Sequence, residues 1–183
     1  MMTAPRIAPA LAPYEPAISD AFSRVMPEGF EPLKLFRTMA RNPRVLQRMF
    51  AGSLLDKGAI PLRERELMIL RTCARCGSEY EWGVHVAFFA ERAGLSKEQV
   101  AATASGATVE CWTTREALLI GLADELHDNA TVSDALWARL EQAFTAEEIL
   151  ELIALAGYYR TISYMTNACR VELEPYGARF AAA

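Results

Sequence analysis

The 183-residue chain is poor in histidine, with only His85 and His127. Any imidazole chemistry is therefore confined to two places. The chain also lacks an apolar run of the roughly 20 residues that a membrane-spanning helix needs. No stripe of Lys and Arg is present. Nineteen basic residues are scattered among 23 acidic ones, for a formal net charge of −4, so nucleic acid is not an expected partner. No stretch alternates apolar and polar residues for long enough to read as a strand. Four cysteines are present without a second Cys/His pair at zinc-finger spacing, which argues against both a structural zinc and a disulfide framework. The opening MMTAPRIAPALAPYEP has one Arg and a short, broken apolar stretch, so a secretory signal is not expected. Reduced thiols and a cytoplasmic location follow as expectations.

The composition, 52% hydrophobic and 23% charged, is that of a globular chain able to bury a sizeable core. Residues 1–30 read as a Pro-rich arm and a short helix, with Pro5, Pro9, Pro13 and Pro16 forbidding regular helix before Ala17. Residues 31–183 read as one helical domain. Helices are expected over 17–26, 33–40, 43–56 and 62–74. Further starts carry the Ser/Thr-x-x-Glu/Gln capping signature at Ser78, Ser96, Thr113 and Thr145. Thr131 or Ser133 can cap a helix over 134–144, and Gly94 and Gly106 sit where helices should stop. The last helix, about 146–171, is apolar almost all round, which predicts a central position, a subunit interface, or both.

The densest chemistry lies between Arg63 and His85. Glu81 and His85 are four residues apart, so on a helix about 40° of rotation separates them and they share a face. A carboxylate beside an imidazole is an acid–base couple. Each member has a plainer use. Glu81 completes the Ser78 capping box and can simply reach back to the helix start. Apolar neighbours let His85 be a satisfied histidine between helices. Glu66 reads as a surface acid of the Arg63-Glu64-Arg65-Glu66 run, paired with Arg63 or exposed. Cys73 and Cys76 lie towards a helix C-terminus, where the dipole disfavours a thiolate, so they read as small buried or half-buried thiols. The Asp124–Asp128 cluster with His127 reads as a structural helix end. Tyr80 and Trp82 read as core or pocket wall.

The segment from Glu66 to His85 resembles the carboxymuconolactone decarboxylase family, which includes the alkylhydroperoxidase D-like proteins. By pattern the resemblance covers roughly residues 33–173. It implies an all-α, alkylhydroperoxidase D-like bundle of about six to eight helices, assembled as a homo-oligomer (dimer, trimer or hexamer). The family's peroxidase branch carries a Glu, then Cys-x-x-Cys, then three residues and a His. On this chain the Glu and His fall on Glu66 and His85, but the two sulfur positions fall on Ser78 and Glu81. The chain's own Cys73 and Cys76 are displaced by five residues. The decarboxylase branch has a Glu four residues before the His, as Glu81 and His85 stand here, and tends to be acidic just before it, as at Glu79.

The resemblance therefore implies a cofactor-free lyase or isomerase acting on a small activated acid or lactone, with aromatic-compound degradation as the expected setting. Glu66, Glu81 and His85 would be its catalytic residues, and Tyr80 and Trp82 would line its substrate pocket. No metal is called for, and a metal held by Glu66, Glu81 and His85 is the less favoured use of the trio. Two alternatives remain. One is a thiol-dependent antioxidant protein using Cys73 and Cys76. The other is a non-catalytic, oligomeric ligand-binding protein.

Overall fold

The later helices begin at capping side chains in the computed structural model, which describes residues 4–106 and 109–181. Among the described residues nine α-helices follow one another: α1 (Pro16–Val25), α2 (Lys34–Met39), α3 (Pro43–Ala51), α4 (Leu62–Arg75), α5 (Glu79–Phe89), α6 (Lys97–Ser105), α7 (Thr114–Asn129), α8 (Asp134–Ala143) and α9 (Ala146–Cys169). A 3-10 turn, Val109–Cys111, precedes α7. Strands are absent among the described residues. The architecture is the all-α bundle expected, one helix beyond the upper end of the expected range.

Reciprocal capping boxes open α6 at Ser96–Gln99, α7 at Thr113–Glu116 and α9 at Thr145–Glu148. Ser133 alone caps α8, accepting from the Leu136 N–H. Stops depart further from expectation. α3 ends at Ala51 rather than Asp56, because Gly52 takes the C-cap and Leu54 turns left-handed (φ 51°). α9 ends at Cys169, with Arg170 left-handed.

α4 holds the centre. Leu67, Met68, Ile69, Leu70 and Cys73 are fully buried on it. It packs against α5, α6, α7 and α9. α9 packs along one side of it. It buries Ile149, Leu152, Leu155, Ala156, Tyr159 and Ile162 but leaves Leu150 and Tyr164 exposed. A second cluster, built on Phe22, Leu35, Leu46, Tyr80 and Ile162, gathers α1–α3 onto α5 and α9. The Pro-rich arm joins this side. Arg6 N–H donates to the Cys169 carbonyl and Ala10 N–H to the Arg37 carbonyl.

The α4–α5 link sets the site. Gly77 (φ 62°) takes the left-handed position past the end of α4. Its N–H donates to the Ala74 carbonyl, and the next N–H, of Ser78, donates to Cys73. This is the Schellman pattern of a helix stop. It folds α5 straight back along α4, so residues 19 positions apart can meet.

Candidate active site

Glu66 projects from the middle of α4 and is fully buried. His85, on α5, is 3% exposed. Its Nδ1 lies 2.8 Å from Glu66 Oε2. The other oxygen, Oε1, accepts from Arg65 Nε and Nη2, both at 3.1 Å. The far nitrogen of the ring, Nε2, is 3.5 Å from Glu81 Oε1, one helical turn away on α5. The imidazole thus stands between two buried carboxylates. Tyr159 meets the ring edge-on at 5.0 Å, and Phe89 covers it at 5.2 Å.

The two carboxylates differ in what they have left to offer. Glu66 uses both oxygens. Glu81 Oε2 is buried and has no hydrogen-bond partner among the described residues. A buried oxygen in that condition is costly, so it marks a place where a ligand or a proton is expected.

Burial alone would push His85 towards its neutral form. The charge and hydrogen bond of Glu66, with Glu81 adding to both, outweigh it and raise the pKa to about 9. The ring is therefore an imidazolium at neutral pH. Its Nδ1–H is committed to Glu66, and its Nε2–H is left beside the open end of Glu81.

Three expectations are overturned here. Glu66 is not a surface acid: Arg63 pairs with Glu116 instead, at 2.6 Å. Ser78 makes no capping bond to α5, because its hydroxyl is buried against Thr166 Oγ1 at 2.8 Å. Glu81 consequently does not close a capping box and turns to His85. Arg65 is the residue that sequence reasoning missed. Four alternating charges in the Arg63–Glu66 run look equivalent until the face of α4 that enters the core is known.

Tyr80 and Trp82 are held elsewhere. The Tyr80 hydroxyl donates to Glu174 Oε1 (2.7 Å) and accepts from Leu35 N–H (3.0 Å). Burial, then the Glu174 charge, keeps that phenol protonated. Trp82 Nε1–H donates to Thr103 Oγ1 at 2.9 Å, and its ring packs on Phe180 in a separate groove that also holds Lys97 and Arg179. Neither side chain joins the Glu66–His85–Glu81 group.

Cys73 is fully buried. Burial first, then the Glu81 charge, drives its thiol well above the ordinary range. Cys76 is half-buried at the end of α4, near His127. Among the described residues, no group of three or more His, Cys, Asp or Glu side chains is arranged to hold a metal ion.

Residues 41–125 match the Carboxymuconolactone decarboxylase family. No curated protein matches the chain. Among solved structures it is similar to an uncharacterized peroxidase-related protein from Silicibacter sp. TM1040, with a TM-score of 0.82 at 16% identity over 99% of this chain and 100% of that one. It is also similar to an uncharacterized peroxidase-related protein from Ralstonia eutropha JMP134 described as an alkylhydroperoxidase AhpD core (TM-score 0.80, 19% identity, 94% of this chain and 95% of that one). A third is the debrominase Bmp8 in complex with 2,3,4-tribromopyrrole (TM-score 0.79, 15% identity, 96% of this chain and 95% of that one). At these identities the likeness establishes the fold.

Proposed function

Since the chain carries a carboxymuconolactone decarboxylase family region on an alkylhydroperoxidase D-like fold, we propose that it is a cofactor-free acid–base enzyme, a lyase or isomerase of small unsaturated lactone acids. The observation that carries this reading is a protonatable imidazole between two buried carboxylates, one of which has an unused oxygen.

Glu66 is the positioning residue. Bound to Arg65 and to His85 Nδ1, it fixes the ring and holds its charge. Glu81 exchanges a proton with the substrate carbon through Oε2. The His85 imidazolium faces the oxygen on which negative charge develops. When such a lactone acid loses carbon dioxide, the electron pair of the broken bond moves into a dienolate. A fixed cation in a dry site stabilises that charge far better than water does. Arg92, exposed and 5.5 Å from the Phe89 ring centre, is the nearby cation available to a substrate carboxylate. The free thiols Cys73, Cys76 and Cys169 fit a reducing, cytoplasmic setting.

Carboxymuconolactone and related unsaturated lactone acids provide the test, followed by ultraviolet absorbance and carbon dioxide release. Glu81→Gln and His85→Gln should each lower kcat by about 10²–10⁴-fold, with folding retained by circular dichroism. Full activity in both variants, or no turnover of any such lactone by the wild type, overturns the proposal.

A further inference from the structure

A second group of reactive side chains lies at the C-terminal end of α4, in a cleft of about 210 Å³ lined by α4, α7 and α9. Cys76 is the C-cap of α4, and its carbonyl is held by Asn167 Nδ2 at 2.9 Å. Its sulfur is 3.7 Å from His127 Nδ1, near the end of α7. Arg160 of α9 lines the same cleft. Its Nη1 donates to the carbonyls of Leu126 and His127 and its Nε to the Tyr164 hydroxyl. No carboxylate among the described residues ion-pairs with it. Thr72, 5% exposed, also lines the cleft, and its hydroxyl is buried with no hydrogen-bond partner among the described residues. Leu126 and Ile153 supply apolar wall.

We propose that this cleft is a covalent binding site at which Cys76 adds to small conjugated alkenes that carry a carboxylate. Each part has a chemical reason. A thiol needs a base to become a nucleophile, and His127 Nδ1 is within reach in the tautomer that carries its proton on Nε2. A guanidinium without an acidic partner accepts a carboxylate. An unpartnered buried hydroxyl is a donor for an oxyanion. At rest both groups are uncharged. Burial raises the Cys76 thiol, although Arg160 and Arg75 oppose it, so the sulfur keeps its proton until a base takes it. Burial, then Arg75 of α4 and Arg160 of α9, lowers the His127 pKa, against the opposing charges of Asp128 and Asp124 on its own helix, so the ring rests neutral, with Nδ1 free to accept.

The step balances without an oxidant or a leaving group. His127 takes the thiol proton, and sulfur bonds to the β-carbon of the alkene. The π pair moves towards the carbonyl as an enolate, beside the Thr72 hydroxyl. The His127 imidazolium then returns the proton to the α-carbon. The net change is addition of S–H across C=C. This inference shares no residue with the Glu66–His85–Glu81 group and does not depend on the function proposed for it.

The test uses the full chain, maleimidoacetic acid as the acidic probe and N-ethylmaleimide as the neutral one, with peptide mass spectrometry as readout. Cys76 should be labelled at least about tenfold faster than the half-buried Cys169. Relative to a free small thiol, it should prefer the acidic probe. His127→Asn should slow Cys76 labelling about tenfold or more by both probes. Arg160→Gln should remove the preference for the acid, and Arg160→Lys should keep it. Cys169 labelled as fast as Cys76, or no preference for the acid in the wild type, overturns the proposal without recourse to any variant. Unchanged labelling in folded His127→Asn does the same.

Discussion

Glu64 and Glu66 are two residues apart and end in different surroundings. Glu64 meets Arg115 at 2.6 Å towards the surface, whereas Glu66 is sealed inside with Arg65 and His85. Removing a partner from a buried ion pair leaves the other charge uncompensated, which typically costs several kcal/mol. Glu66→Gln should therefore destabilise the fold by about 3 kcal/mol in urea unfolding. Burial would then dominate at His85, and a pKa measured by proton NMR should drop from its position near 9. A ring still titrating near 9 in that variant would refute the assignment of Glu66 as its chief partner. The raised pKa also has a stability consequence. The folded value of about 9 lies above the ordinary 6.5, so the contribution is complete below about pH 6.5 and disappears as pH rises through 9. The difference in unfolding midpoint between wild type and His85→Gln should shrink between pH 6.5 and 9.5. At this scale the sequence was legible in part. The spacing of Glu81 and His85 is a local fact and could be read. The pairing of Glu66 with Arg65 and His85 depends on which face of α4 turns inward, which no local pattern records.

Among the elements, helix starts were readable because a cap is written within four residues. Ser96, Thr113 and Thr145 all cap as expected. Ser78 carries the same signature and does not cap, because the stop of the preceding helix buries its hydroxyl against Thr166. Tertiary packing there overrides the local motif. Gly83 is another element-scale feature. It lies inside α5, where glycine is worth roughly 1 kcal/mol less than alanine. A Cβ at that position would sit 2.2 Å from the Ala178 carbonyl oxygen. The C-terminal segment crosses α5 at this point. Ala178 N–H donates to Gly83 and Phe180 N–H to Glu79 Oε1. Gly83→Ala should gain helix propensity and lose this crossing, and overpacking of 1–3 kcal/mol outweighs the gain. Hydrogen exchange should report loss of protection at Ala178 and Phe180. Protection kept at the wild-type level would mean that the segment can shift without leaving its seat.

For the whole molecule, the all-α character could be foreseen from capping and periodicity and the bundle from the family resemblance, but the identity of the central helix could not. α9 reads as apolar almost all round, yet α4 is the helix with an unbroken run of buried residues, Glu66–Cys73. Enclosure depends on how many neighbours a helix has, and topology sets that number. The apolar residues that α9 leaves outside, Leu150 at 69% and Tyr164 at 56% exposure, are better explained by a partner than by solvent. We propose a homo-oligomer that uses this face. Light scattering should give a multiple of the 20.3 kDa chain mass, and Leu150→Glu with Tyr164→Glu should lower it. A wild-type monomer at micromolar concentration would rule the assembly out.

In the interior, two carboxylates, Glu66 and Glu81, are met by one guanidinium and one imidazole. An anionic guest entering beside Glu81 would leave this interior one positive charge short. The simplest remedy is to take up a hydrogen ion from the medium. Calorimetric titrations of the same guest in buffers with different heats of ionisation should then disagree by an amount proportional to the buffer's heat, an observable that needs no turnover.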